Sequence, residues 1–109
     1  MDIEGTEYWT NSYSTNQQWY KSLVDATVSQ NIVTGVYTSK YQWGSIFGSY
    51  DWSYNPANYW VWYAHYDNNP SYSDWAAFGG WTVPNAKQWL GDQSFCGANI
   101  DYDWTDIDL

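Results

Sequence analysis

Ile32-Val33-Thr34-Gly35-Val36-Tyr37-Thr38, followed closely by Tyr41 to Phe47 and then Gly48, decides how this chain is organised. The first seven residues are a largely β-branched run of the kind that forms a buried strand. Tyr41 to Phe47 reads as a short helix, with Gly48 as its stop. Upstream, Ser14 and Gln17 make a capping-box pattern. Tyr20, Leu23, Val24 and Val28 then recur at three- and four-residue spacing, which predicts a helix from Ser14 to Gln30 with Asn31 ending it. Downstream, the polar stretch 49–58 contains Pro56 and reads as loop. Tyr59 to Tyr66 is dense in strand formers and stops at the turn-rich Asp67-Asn68-Asn69-Pro70. Asp74 to Phe78 predicts one helical turn before Gly79-Gly80. Ala86 to Leu90 and Asn99 to Tyr102 read as two short strands separated by a Gly-containing loop. The order strand, helix, strand, helix, strand, strand predicts an α/β fold with parallel strands. No internal repeat or linker divides the chain, so one domain at most is expected.

Composition narrows the function. The chain has 109 residues and a net charge of −9, with three Lys, no Arg, ten Trp and twelve Tyr. That length is too short for a complete (β/α)₈ barrel, which takes roughly 200–250 residues. Scarcity of cations disfavours nucleic-acid and anionic-membrane partners, both of which need clustered Lys and Arg. No apolar run approaches the roughly 20 residues of a membrane helix. Met1 leads straight into Asp2-Ile3-Glu4, so no signal peptide is read in this chain. The aromatic content argues against disorder. Flat rings beside Ser, Asn, Gln, Thr and Asp suit carbohydrate, and they suit an aromatic core with an acidic exterior equally well.

Few residues invite chemistry. Asp2 and Glu4 stand two apart, so on a strand they share a face about 6.6 Å apart along the chain. Like charges that close push one carboxyl toward the protonated state that a general acid needs. The alternative is an ordinary acidic stretch. Asp101, Asp103, Asp106 and Asp108 resemble the start of a calcium loop, but lack its sixth-position Gly and twelfth-position Glu. A solvated acidic run is the plainer reading, with Asp101 set apart by following Ile100. His65, inside an aromatic strand and with no Ser or Cys nucleophile near it in sequence, reads as a positioning or core residue. Cys96 is the sole cysteine, either a small core residue or an orphan whose partner lies outside this chain.

The order of the segments is more specific than any one of them. D-I-E (2–4), V-T-G-V-Y-T-S-K-Y-Q-W (33–43), W-Y-A-H-Y-D-N-N-P-S-Y-S-D-W (62–75), F-G-G-W-T (78–82), K-Q-W (87–89) and N-I-D-Y-D-W (99–104) follow in sequence. Together they resemble the second half of the family 25 glycoside hydrolases, the muramidase-type lysozymes, and their eukaryotic branch in particular. The resemblance runs over essentially all 109 residues.

It implies a partial (β/α) barrel: the C-terminal half, from the end of strand 4 to strand 8, with the N-terminal half and its first-strand aspartate absent. It further implies cleavage of the β-1,4 bond after N-acetylmuramic acid in peptidoglycan, without cofactor or metal. Glu4 then matches the general acid, and Asp2 the aspartate that orients the acetamido group or stabilises the transition state. Asp101 matches the aspartate ending the eighth strand. Trp62, Tyr63, Ala64, Tyr66 and Gln88 fall where such enzymes line their sugar groove. The partner is a peptidoglycan glycan strand, and the parent protein is expected to be secreted or lysosomal. A half barrel should leave an open sheet edge and an exposed apolar face, so lytic activity of the chain alone is not expected. The competing expectation is a glycan-binding chain that does not hydrolyse.

Overall fold

The computed structural model describes residues 1–107. Helix α1 runs Tyr13–Ser29, close to its expected span. Its cap is Ser12 rather than Ser14, because the Ser12 hydroxyl accepts from the Thr15 amide at 3.3 Å. Gln17, expected to close a capping box, instead donates to the Phe47 carbonyl at 2.9 Å. The buried stripe is also narrower than the spacing predicted. Asn16, Tyr20 and Val24 face inward, whereas Leu23 and Val28 are about half exposed. Asn16 tolerates burial because its bonds are made: its amide donates to the carbonyls of Ile46 and Thr10, and its oxygen accepts from Thr10. After the helix, Asn31 takes a left-handed conformation, and Ile32 and Val33 stay exposed. Strand β1 is therefore only Gly35–Thr38.

Helix α2 spans Lys40–Phe47, capped by Ser39 and ended at Gly48. A short 3₁₀ turn at Pro56–Asn58 leads into β2, Trp60–Ala64. No helix forms over 74–78, where Asp74 is drawn into an ion pair described below. Strands β3 (Ala86–Phe95) and β4 (Ala98–Trp104) are longer than expected. They also run antiparallel, which corrects the all-parallel expectation. The cause is local: only Cys96 and Gly97 join them, and both have positive φ, at 51° and 78°. That geometry folds a chain straight back as a hairpin and leaves no length for a crossover.

The sheet order is β1-β2-β3-β4, with the first three parallel. Residues 1–3 extend the other side of β1 through a bridge between Asp2 and Tyr37. One face of the sheet is packed: Ile3, Val36, Val61 and Tyr63 meet Tyr20 and Val24 of α1 and Trp43, Ile46 and Phe47 of α2. Trp43 sits at the middle of this layer, with the rings of Tyr20, Phe47, Trp52 and Trp81 between 4.6 and 5.7 Å away. Much of the aromatic surplus is thus core. Among the described residues the other face carries no helix, the sheet stays open at both edges, and no helix is long and apolar enough to cross a membrane. The α/β character and the open edges are compatible with a partial barrel, but the uncovered face is not the apolar one expected: it carries Asp2, Glu4, Tyr37, Trp62, Gln88 and Asp101.

Candidate functional site

Residues 1–4 hang on β1 by two backbone bonds, from the Ile3 amide to the Tyr37 carbonyl at 2.9 Å and from the Tyr37 amide to the Met1 carbonyl at 2.8 Å. Strand alternation does the rest. Ile3 is buried against the helices, and Asp2 and Glu4 both project to the exposed side. Partial desolvation raises the Glu4 carboxyl above the ordinary range, and the charges of Asp2 and Glu7 add to that.

The same face of the sheet carries Tyr37 on β1, Trp62 on β2, Gln88 on β3 and Asp101 and Asp103 on β4. A cleft of about 500 Å³ runs between Asp2, Glu4, Tyr37, Trp62, Gln88 and Asp101. Five of the residues singled out from the sequence therefore meet in one place: Asp2, Glu4, Trp62, Gln88 and Asp101. Gln88 is nearly buried and acts as the hub. Its oxygen accepts from the hydroxyls of Tyr37 at 2.5 Å and Tyr66 at 2.8 Å, and its amide donates to Asp101 at 2.9 Å. The other oxygen of Asp101 accepts from the Asp92 amide. Tyr66 thus reaches the site through Gln88 rather than by standing alone.

Trp62 presents an accessible ring, 38% exposed. Its orientation is set twice, by edge contact with Tyr37 at 4.7 Å and by an N–H bond to Asp103 at 2.9 Å. Burial raises the Asp103 carboxyl and Asp101 adds to this, while the Trp62 bond opposes it. Asp103, expected to belong to a solvated acidic run, is a member of the site. Asp108, from the same run, lies outside the described residues.

Tyr63 departs from expectation. Neighbours on a strand point to opposite faces, so Tyr63 cannot share the Trp62 surface. Its ring packs against Trp75, and its hydroxyl donates to Asp74 at 2.8 Å. Ala64, Tyr66 and the edge of Tyr63 border a second cavity of about 510 Å³ beyond the strand ends, which also includes Glu4, Tyr41, His65 and Trp75.

Behind this cavity lies a cluster that sequence reasoning missed. Lys87 is fully buried. Its ammonium donates to both oxygens of Asp67 at 2.8 Å, to Asp74 at 2.7 Å, and to the carbonyls of Asn69 and Ser71. The loop 67–74 is wound around one cation. Burial alone would raise the Asp74 carboxyl, but bonds from Lys87, His65 and Tyr63 outweigh it and hold it at about 2. Asp67 is lowered too: burial raises it, but the bonds from Lys87 and the Asn69 amide outweigh that. His65 is exposed, not core, and its Nδ1 lies 2.6 Å from Asp74. His65, Asp67 and Asp74 converge within 4.8 Å, as metal ligands do. The Lys87 ammonium donates to both carboxylates, so they are already engaged in an ion-pair network in which two acids share one cation. The available signal was a lysine placed in a strand-forming segment beside Ala86, Trp89 and Leu90, in a chain with only three lysines, since a buried cation demands carboxylate partners. Cys96 is exposed at the hairpin turn, not buried.

The family model described as "Lysozyme-like protein 1" matches residues 1–89. The chain belongs to the lysozyme-like proteins of glycoside hydrolase family 25. It is 41% identical over 104 residues to "Probable GH family 25 lysozyme 2" of Dictyostelium discoideum, covering 95% of this chain and 47% of that protein. It is 39% identical to "Probable GH family 25 lysozyme 5" of the same organism, covering 93% and 46%. "Counting factor 50", also from Dictyostelium discoideum, is 35% identical, covering 95% and 34%. The chain thus spans about half the length, or less, of these curated relatives. No solved structure matches it. The order of segments read from the sequence is therefore a family 25 order, and the lysozyme-like chain places most of those segments around one cleft.

Proposed function

We propose that the open sheet face is the carbohydrate-cleaving face of a lysozyme-type N-acetylmuramidase acting on β-1,4 bonds of peptidoglycan, with Glu4 as general acid. One observation carries the reading: Glu4, its carboxyl raised, shares a cleft with Asp2, Trp62 and the Gln88–Asp101 pair. A glycosidase acid has to hold its proton until the glycosidic oxygen takes it, and the upward shift of Glu4 is in that direction. As that oxygen leaves with the proton, positive charge develops on the sugar ring, and a water molecule then adds its hydroxyl to the anomeric carbon and returns a proton to the site. Asp2 faces that charge or accepts from the substrate acetamido N–H, and Asp101, held by Gln88 and the Asp92 amide, adds a fixed negative group. Trp62 offers a flat surface for a sugar ring. The corresponding setting is a secreted or lysosomal one, where bacterial walls are met.

The test is Glu4→Gln in the full-length protein. Loss of turbidity clearing on bacterial walls with wall binding retained supports the assignment, and undiminished clearing overturns it. The openness of the sheet face favours a second reading, glycan binding without cleavage, since an exposed cleft does not exclude water. Capture of the chain by insoluble peptidoglycan, weakened by Trp62→Ala and without release of reducing ends, would select it.

A further inference from the structure

Glu4 borders three hollows, two of them described above. The third, of about 350 Å³, lies on the helix α1 side of Glu4 and is lined by Asp2, Glu4, Tyr8, Trp9 and Trp19. We infer that Tyr8, Trp9 and Trp19 form a second sugar-binding shelf, which holds a further residue of a neutral glycan chain passing over Glu4. This rests on the reading of the open face as a glycan cleft and extends it to the other side of the acid.

Four features carry the inference. The rings are accessible, with Tyr8 81% and Trp19 49% exposed, although large apolar rings normally avoid water. They are also held in place. The Trp9 indole donates to the Glu4 carbonyl at 3.2 Å, and Trp9 lies against Trp19 at 6.4 Å and against Phe47 at 5.6 Å. Tyr8 folds back over Gly5, whose φ is 67° and where any Cβ would meet the Tyr8 ring at 2.6 Å. Only glycine permits that turn, and the turn brings the shelf beside the acid. Finally, the charged lining is carboxylate only: none of Lys21, Lys40 or Lys87 borders it. Such a surface repels anions, while its rings stack on sugar CH faces and its carboxylates accept from hydroxyl or acetamido groups. The shelf is continuous with the Trp62 cleft through Asp2 and Glu4, which line both.

The experiment is titration of the protein with chitohexaose, a neutral N-acetylated glycan, comparing Tyr8→Ala, Trp19→Ala, Trp19→Phe and Trp62→Ala. Each shelf alanine variant is expected to raise Kd about tenfold, the effect of one lost ring contact, with Trp19→Phe recovering most of it. Cooperative melting and near-ultraviolet dichroism check the folds, and the high exposure of Tyr8 makes that variant safe. If Trp62→Ala weakens binding while both shelf variants stay within about twofold of the parent, the shelf is overturned and the glycan reading stands. If shelf variants weaken binding and Trp62→Ala does not, the rings hold sugar without a chain crossing Glu4 onto the open face, and both the continuous groove and the open-face reading fall. A parent protein that does not bind the hexamer overturns the shelf, and the open-face reading is then decided by the Glu4→Gln wall assay.

Discussion

The indole N–H of Trp62 donates to Oδ1 of Asp103 at 2.9 Å, so an exposed ring on β2 is steered by a carboxylate on β4, with β3 between them. Asp103→Ala should free the ring to turn and weaken oligosaccharide binding roughly three- to tenfold, the worth of one such bond. Asp103→Asn keeps an acceptor oxygen and should bind nearly as the parent does. Fluorescence titration of both variants decides, and equal loss in the two would refute the steering role.

Lys87→Met leaves Asp67 and Asp74 without their cation in a partly buried loop. Urea unfolding should show a loss of about 3 kcal/mol, as when one partner of a buried pair is removed. Lys21→Met, at the surface, should cost less than about 0.5 kcal/mol. The loop 67–74 should also become the preferred site of limited proteolysis.

Acid should loosen the same loop. The folded-state carboxyl of Asp74 sits at about 2, below its ordinary 3.8. Its stabilisation is therefore complete above about pH 4 and is lost as pH falls toward 2. Allowing for partial exposure, about 1–2 kcal/mol should disappear across that window. Asp74→Asn should melt lower at neutral pH and lack that step, which thermal melts between pH 2 and 5 would display. Glu4 behaves oppositely. Its raised carboxyl makes ionisation unfavourable in the folded state, so Glu4→Gln should melt slightly higher at neutral pH.

Cys96 occupies the first of two left-handed positions in the β3–β4 turn. Asparagine suits that position better than cysteine, so Cys96→Asn should stabilise by about 0.5 kcal/mol, whereas Cys96→Val should destabilise by about 1–2 kcal/mol. Chemical denaturation of the two variants checks the direction of each.

Helix α2 and the D-I-E segment were legible because their determinants are local: Gly48 closes the helix, and alternation alone sends Ile3 inward and its neighbours out. The α1 cap lies two residues before the one that pattern favours, because only Ser14 has a Gln three residues on, whereas Ser12 reaches the Thr15 amide and Gln17 bonds the Phe47 carbonyl instead. The hairpin was legible in principle, since Cys96-Gly97 is too short for a crossover. At the site, Asp2, Glu4 and Asp101 stand in segments that assign them a role, whereas Lys87 stands in K-Q-W without one. Its burial depends on Asp67 and Asp74, 20 and 13 residues earlier in the chain. Tyr63 shares a contiguous segment with Trp62, but strand alternation divides that segment between two faces, and only Trp62 is left on the groove side.

The two bonds that fasten Ile3 and Met1 to Tyr37 carry a consequence for fidelity. Sliding that short segment by one residue would exchange its faces, bringing Ile3 into water and driving Asp2 and Glu4 into a wall of Trp and Phe rings. Misregistration is thus punished three times over by one isoleucine and two acids. The residue triplet proofreads its own alignment, and the proposed acid takes its place only when the segment is threaded correctly.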